Sequence, residues 1–179
     1  MGTVRPAPPA LVFSAVTTGR PSLFKQVRAA LIESHGPLLE KWGPFALDTF
    51  TRYYEKEMGP GLEKTFLLFD RPRSTEDIYT LKLRSNALED QFRVQEKRQV
   101  NVDPGFLTLF NFCLLTTKGF SHRIHLANGI YAEVTLRVMQ GKITPLEWTY
   151  ADYRTSEALA FLARGRRHLK NKIAGSAGK

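Results

Sequence analysis

The chain has 179 residues, 42% hydrophobic and 24% charged, enough for one domain with its own core and no metal or disulfide staple. A single cysteine excludes an internal disulfide and a thiolate zinc site. With one cysteine, a reducing cytoplasm is the expected setting, and no stretch reaches the roughly 18 continuous apolar residues that a spanning helix needs. The net charge of +9 raises nucleic acid as a partner. However, six of the cations lie between Arg164 and Lys179 without an acid among them, and the remainder holds twenty positive against seventeen negative residues.

In chain order, residues 1–9 read as a flexible Pro-rich arm. Pro6 stands where a myristoylation signal wants Ser or Thr. Ala10 to Val16 is a short apolar run that predicts a buried strand rather than a signal peptide. Pro21 opens a helix with Leu23, Phe24, Val27, Ala30 and Leu31 on one face, and His35-Gly36-Pro37 stops it. Phe45 to Phe50 and Thr65 to Phe69 predict a second and a third strand. Ser74 and Asp77 resemble a capping box, with Asp in place of Glu, opening a helix that runs to about Phe92 and buries Ile78, Leu81, Leu88 and Phe92.

Arg98 to Val102 predicts a fourth strand, and Asp103-Pro104-Gly105 a turn. The order β-α-β-β-α-β matches a ferredoxin-like unit. Three further strands and a helix from about Ser156 to Leu169, apolar at Leu159, Phe161 and Leu162, extend it. The predicted fold is therefore α+β: a ferredoxin-like βαββαβ unit with a C-terminal antiparallel meander and a final helix. Residues 10–163 form the domain, and 164–179 form a basic, disordered tail. Cys113, inside the apolar run Phe110 to Leu115, reads as a buried, inert thiol.

The segment from Ser121 to Trp148 is the most informative. Ile130, Ala132, Val134, Leu136 and Val138 alternate with Tyr131, Glu133, Thr135 and Arg137, so the two sets face opposite ways. A two-residue Asn128-Gly129 loop sets Ile124 beside Glu133. A three-residue loop with Gly129 left-handed pairs Leu126 with Ile130 and Ile124 with Ala132, keeping the apolar residues together, and is preferred. It places Arg123 opposite Glu133 and His125 opposite Tyr131.

A Gln140-Gly141 hairpin pairs Val138 with Ile143 and, continued, sets Trp148 opposite Glu133 and Tyr150 opposite Tyr131. The resulting row is either a solvated surface with a cross-strand ion pair or a platform facing a ligand. On the platform reading, Glu133→Gln preserves the melting temperature and weakens ligand binding. Lys82, Asn86 and Glu89 share a helix face at i, i+4, i+7; by periodicity alone that stripe is solvated.

Six ordered blocks carry a resemblance: Phe50 to Gly59; Lys82, Asn86 and Glu89; Lys97 to Gly105; Thr116 to Lys118; Ser121 to Ile124 with Gly129 to Leu136; and Trp148 to Tyr153. Together they resemble the bacterial and archaeal family called domain of unknown function 4416, over nearly all of residues 10–163. The chain departs from the family pattern at Phe106, where Tyr is usual, and at Ala151, where Pro is usual. The resemblance implies a cytoplasmic protein, with GTP binding sometimes attached to members. Gly59 to Thr65 has the wrong spacing for a P-loop and precedes a strand, so a bound nucleotide needs another architecture.

Within these blocks, Lys82, Arg98, Lys118 and Arg123, together with Arg154 just beyond the last of them, are the candidate phosphate contacts, the Arg forks being suited to bidentate bonds. Trp148 or Tyr150 would stack on a base, and Asn86, Asn101 and Thr135 complete the ligand-binding set. Asp103 and Glu133 are candidate ligands for Mg²⁺. Glu133, Asp103 and His122 are the candidate catalytic groups, although His122 falls on the inward side, where a structural role fits equally. A phosphorylated or nucleotide ligand is the first functional reading. An RNA-binding module using an aromatic sheet face and the basic tail is the second, without the aromatic spacing of an RNP1 motif in Arg98 to Gly105. A non-catalytic scaffold docking a protein partner is the third.

Overall fold

Nine residues without a charge, from Ala10 to Thr18, form β1 (Ala10–Thr18), and every one of them is buried. Its apolar side chains run continuously because both faces are covered and both edges are paired. The partners are β3 (Glu63–Arg73) on one side and β4 (Asn101–Leu107) on the other, both antiparallel. The computed structural model describes residues 2–4 and 6–176. Around β1 it arranges β2 (Leu38–Ala46), β5 (Asn111–Thr116), β6 (Arg123–Ala127), β7 (Ile130–Met139) and β8 (Lys142–Pro145) into one eight-stranded antiparallel sheet. The order is β2-β3-β1-β4-β5-β7-β6, with β8 beside β7.

Helices cover both faces. On one, Leu23, Val27 and Leu31 of α1 (Pro21–His35) and Leu81 of α3 (Thr80–Asp90) pack on Val12, Val16, Leu67 and Phe69. On the other, Ala158, Phe161, Leu162 and Leu169 of α4 (Ser156–Ser176) pack on Leu11, Phe13, Phe66 and Leu107. A four-residue helix, α2 (Glu55–Met58), lies in the connection between β2 and β3. The fold is thus α+β as expected. None of the described helices is long and apolar enough to cross a membrane.

Several boundaries differ from the sequence reading. The second strand ends at Ala46, and Leu47–Thr49 is a 3₁₀ turn. Ser74 does not cap a helix: its hydroxyl accepts the Glu76 N–H at 3.2 Å in a local turn, and α3 starts only at Thr80. Four strands follow β4, not three. Asp103-Pro104-Gly105 is no turn but lies inside β4. Pro104 is tolerated because β5 meets β4 only from Gly105 onward, leaving Pro104 with a strand on one side. Gly105 is there for a close approach, since a Cβ would stand 2.5 Å from the Cys113 carbonyl oxygen.

The expected pairs Arg123–Glu133, Ile124–Ala132 and His125–Tyr131 all form. The loop itself is the two-residue one, Asn128 and Gly129 both having positive φ. A bulge between His125 and Ala127, with Ala127 pairing Ile130, restores the register in place of the expected Leu126–Ile130 pair. Val138 pairs with Ile143 as expected, but β8 ends at Pro145. Trp148 and Tyr150 never reach the ladder, because β6 already occupies that edge of β7 beside Glu133 and β5 occupies the other. A bulge at Thr135, where β7 meets Phe112 and Cys113, moves Leu136 onto the α4 face, away from Ile130, Ala132 and Val134.

The basic segment from Arg164 to Ser176 is not a disordered tail but the continuation of α4. Leu169 is fully buried, Arg164 pairs with Glu40, and Lys172 Nζ lies 2.8 Å from Asp70, whose carboxyl its hydrogen bond holds below the usual range. Residues 177–179 of that expected tail, and Met1 and Arg5 of the expected arm, lie outside the described residues. The remaining arm residues have no regular structure.

Two outcomes follow. Gly105→Ala is expected to destabilise by about 3 kcal/mol through overpacking, read as a lower urea midpoint at unchanged slope. His35 is 2% exposed, and burial lowers its pKa to about 4 from 6.5. Because the native state keeps this imidazole neutral, the stability it supports is complete above pH 6.5. It falls as the pH drops toward 4, by about 3 kcal/mol, and His35→Leu is expected to flatten that part of the profile.

Candidate functional site

β4 and β5 pair only through Gly105, Phe106 and Leu107, so they part toward Asn101. The backbone of Val102 is left without a strand partner on the open side, and α3 supplies one. Glu89 Oε1 accepts the Val102 N–H at 2.7 Å, and Lys82 Nζ donates to the Val102 carbonyl at 3.3 Å. Seven residues apart on one helix, the two side chains point the same way. The stripe expected to be solvated is therefore structural: Lys82 and Glu89 are 8% and 5% exposed. Burial raises the Glu89 carboxyl above the usual carboxylate range, against the opposing pull of Lys82.

A cavity of about 450 Å³ opens beside this parting. Register defines its floor: Thr17 stands between Lys64 and Asn101, and Ala15 between Phe66 and Asp103, so Lys64, Asn101 and Asp103 share the α4 face. The row continues through Gly105, Leu114, Glu133 and Arg123. α4 covers one end of this face, and the cavity occupies the other. The Leu47–Tyr54 connection and a 3₁₀ turn at Ala151–Arg154 complete the walls.

The lining is a set of linked charges. Lys64 Nζ lies 2.6 Å from Asp152 Oδ2 and 4.9 Å from the centre of the Tyr153 ring. The Arg98 fork binds Glu57 at 2.7 and 2.5 Å and reaches Asn101 Oδ1 at 2.9 Å; Asn101 in turn donates to Asp103 at 2.8 Å. The hydrogen bond from Arg98 lowers the Glu57 pKa, and Glu57 raises that of Arg98. Arg123 donates to Glu133 at 2.9 Å, to the Lys118 carbonyl at 3.0 Å and to the Tyr150 hydroxyl at 3.2 Å. Lys118 Nζ donates to the Tyr53 hydroxyl at 3.0 Å, which lowers the Tyr53 pKa.

The cavity brings together Lys82, Asn86, Arg98, Asn101, Asp103, Lys118, Arg123, Glu133 and Tyr150. It leaves out His122, Thr135, Trp148 and Arg154. His122 stacks on Trp148 at 4.9 Å in a shallow neighbouring hollow, with Nε2 3.1 Å from Glu133. Thr135 is fully buried in its bulge. Arg154 spends its guanidinium on the carbonyls of Leu146, Glu147 and Thr149. The sequence reading missed Tyr53, Tyr54, Lys64, Asp152 and Tyr153, all in the lining. Lys64 precedes the apolar run Thr65–Phe69 and pairs with a residue 88 positions away, so no local pattern connects the two.

The family described as Domain of unknown function (DUF4416) matches residues 8–168. The chain belongs to it. No curated protein and no solved structure matches this DUF4416 chain. Among its described residues, no group of three or more His, Cys, Asp and Glu converges on a metal position. Cys113 is buried, with its thiol pushed up to about 12 by burial, as the inert reading requires. Glu133 suits a metal poorly, because its oxygens already accept from Arg123, His122 and Thr135. Asp103 is freer: Oδ2 accepts from Asn101, and Oδ1 is 3.9 Å from Lys82.

Glu133 is 2% exposed, so the sequence expectation for Glu133→Gln changes. A Gln amide would turn a donor toward the Arg123, His122 or Thr135 donors and leave a buried charge unpaired. We expect a loss of about 3 kcal/mol in chemical denaturation, and unchanged stability would return Glu133 to the role of a ligand platform.

Proposed function

We propose that the cavity binds an anionic phosphorylated small molecule, nucleotides including GTP being within the class, without a P-loop. The observation that carries this reading is Lys82: a buried ammonium with three donors, one carbonyl bond at 3.3 Å and its nearest ion-pair oxygen at 3.9 Å. An anion in the cavity would complete its bonding. Arg98, Lys118 and Arg123 add cationic groups around the same space, and Tyr53, Tyr54 and Tyr150 add aromatic walls. The volume lies in the range usual for small-ligand sites. Gly59–Leu62 leads into β3 rather than a helix, so phosphate contacts fall to side chains. Mg²⁺, if carried by the ligand, would meet Asp103 together with phosphate oxygens.

We also propose that β1 to β4 with α1 and α3 form a ferredoxin-like unit. The chain order β-α-β-β-α-β and the interleaved strands β2-β3-β1-β4 support it.

A thermal-shift series with inorganic phosphate, sugar phosphates and nucleotides, with and without Mg²⁺, tests the ligand proposal. A ligand at 100 times its Kd adds about 2.7 kcal/mol, a rise of roughly 8 °C for this length. The rise is expected to shrink in Lys82→Met and in the exposed Lys118→Ala. No shift with any phosphate, or stabilisation by an RNA oligonucleotide alone, would reject the proposal.

A further inference from the structure

β4 runs away from the cavity and ends in a turn over residues 108–111, at the other end of the sheet. The Thr108 hydroxyl pins this turn, accepting the N–H groups of Phe110 and Asn111 at 3.0 Å each. Leu109 packs inward on the α4 side, and Phe110 points outward, 65% exposed. The Phe110 carbonyl accepts the Val138 N–H at 2.8 Å, which brings the end of β7 alongside, and there Met139 is 45% exposed. Two large apolar side chains thus stand in water on adjacent, hydrogen-bonded backbones. Turn chemistry asks for small polar residues, not for an exposed Phe.

The charge around them has one sign. Arg137 lies two residues before Met139, on the same face, and pairs with Asn111 next to Phe110; Lys142 is cross-strand from Met139. Both cations are exposed, and neither side chain has a hydrogen-bond or ion-pair partner among the described residues. On the α4 side, Arg166 Nε donates to the Leu109 carbonyl at 2.8 Å, and Lys170 is exposed one turn further along the helix. The segments that carry these groups, residues 104–132, 134–146 and 158–176, contain no Asp or Glu. The acids that α4 meets, Glu40 and Asp70, are taken by Arg164, His168 and Lys172.

We infer that this end of the molecule docks on an anionic lipid surface, with Phe110 and Met139 entering the acyl boundary and Arg137, Lys142 and Arg166 meeting the headgroup phosphates. Apolar side chains ringed by unpaired cations are the chemistry of interfacial binding, which needs no spanning helix. A single-stranded nucleic acid would instead want a basic groove with aromatic planes for its bases. Here the one aromatic projects from a turn beside a Met, which offers no stacking plane. The inference stands apart from the phosphate reading, because β4 (Asn101–Leu107) separates the cavity from this turn by about 20 Å.

The test is cosedimentation of the full chain with vesicles of equimolar phosphatidylcholine and phosphatidylserine, against vesicles of phosphatidylcholine alone. The wild type is expected to bind the mixed vesicles only, and less as salt rises. Phe110→Ser should weaken the partition about tenfold, and Arg137→Gln or Lys142→Gln about fivefold each. All three positions are exposed, so the melting temperature should stay where it is. Lys118→Ala, which alters the cavity, should leave vesicle binding unchanged, and Phe110→Ser should leave any thermal shift with inorganic phosphate unchanged, so the two proposals fail separately. No cosedimentation with the mixed vesicles, whether or not a single-stranded RNA oligonucleotide is bound instead, overturns the inference. So does vesicle binding that Phe110→Ser leaves intact, since charge alone or the cavity would then hold the headgroups.

Discussion

Val102 has two backbone groups and, on one side, no strand to bond them. That local deficit organises the centre of the molecule. A strand edge buried without partners would cost as much as several lost hydrogen bonds, so something must stand in for β5. Lys82 and Glu89 do so, one donating and one accepting, each on a side chain long enough to span the gap. Because side chains replace a strand, β4 and β5 need not close, and the space between them becomes a cavity rather than core.

The same substitution brings charge into the interior. Once Lys82 and Glu89 are buried, their neighbours must be polar, and Arg98, Asn101 and Asp103 form a continuous network with them and with Glu57. A second network on the β5–β7 side links Lys118, Arg123 and Glu133 to Tyr53 and Tyr150. Low-dielectric surroundings strengthen satisfied networks and penalise gaps in them, which makes the incompletely bonded Lys82 ammonium an informative group in the lining.

Much of the fold was legible in local pattern. The uncharged run of β1, the proline and glycine bracketing α1, and the alternation in β7 each report a backbone state that neighbouring residues determine. Misreadings arose where one signal serves two ends. Pro104-Gly105 has the chemistry of a turn, yet Gly105 is needed because Cys113 passes close by, a fact set by β5. The Arg164–Lys172 stretch has the composition of a tail, yet Asp70, Glu40 and the core around Leu169 hold it as helix.

For the site, the residue types and nine of the positions could be read from the chain, because charged and aromatic residues at strand and helix spacing mark a face. Which faces meet could not. The bulges at Leu126 and Thr135 shift register by one residue and reverse sides. β6 and β8 compete for one edge of β7, which keeps Trp148 and Tyr150 off the ladder. The Lys64–Asp152 pair and the packing of Tyr153 on Phe66 and Phe13 depend on contacts across 87 residues or more. Sequence alone therefore determined the α+β class, the main elements and the polar character of the site. Tertiary structure decided that the polar stripe on α3 faces inward, since only the parting of two strands gives a buried lysine and glutamate something to bond.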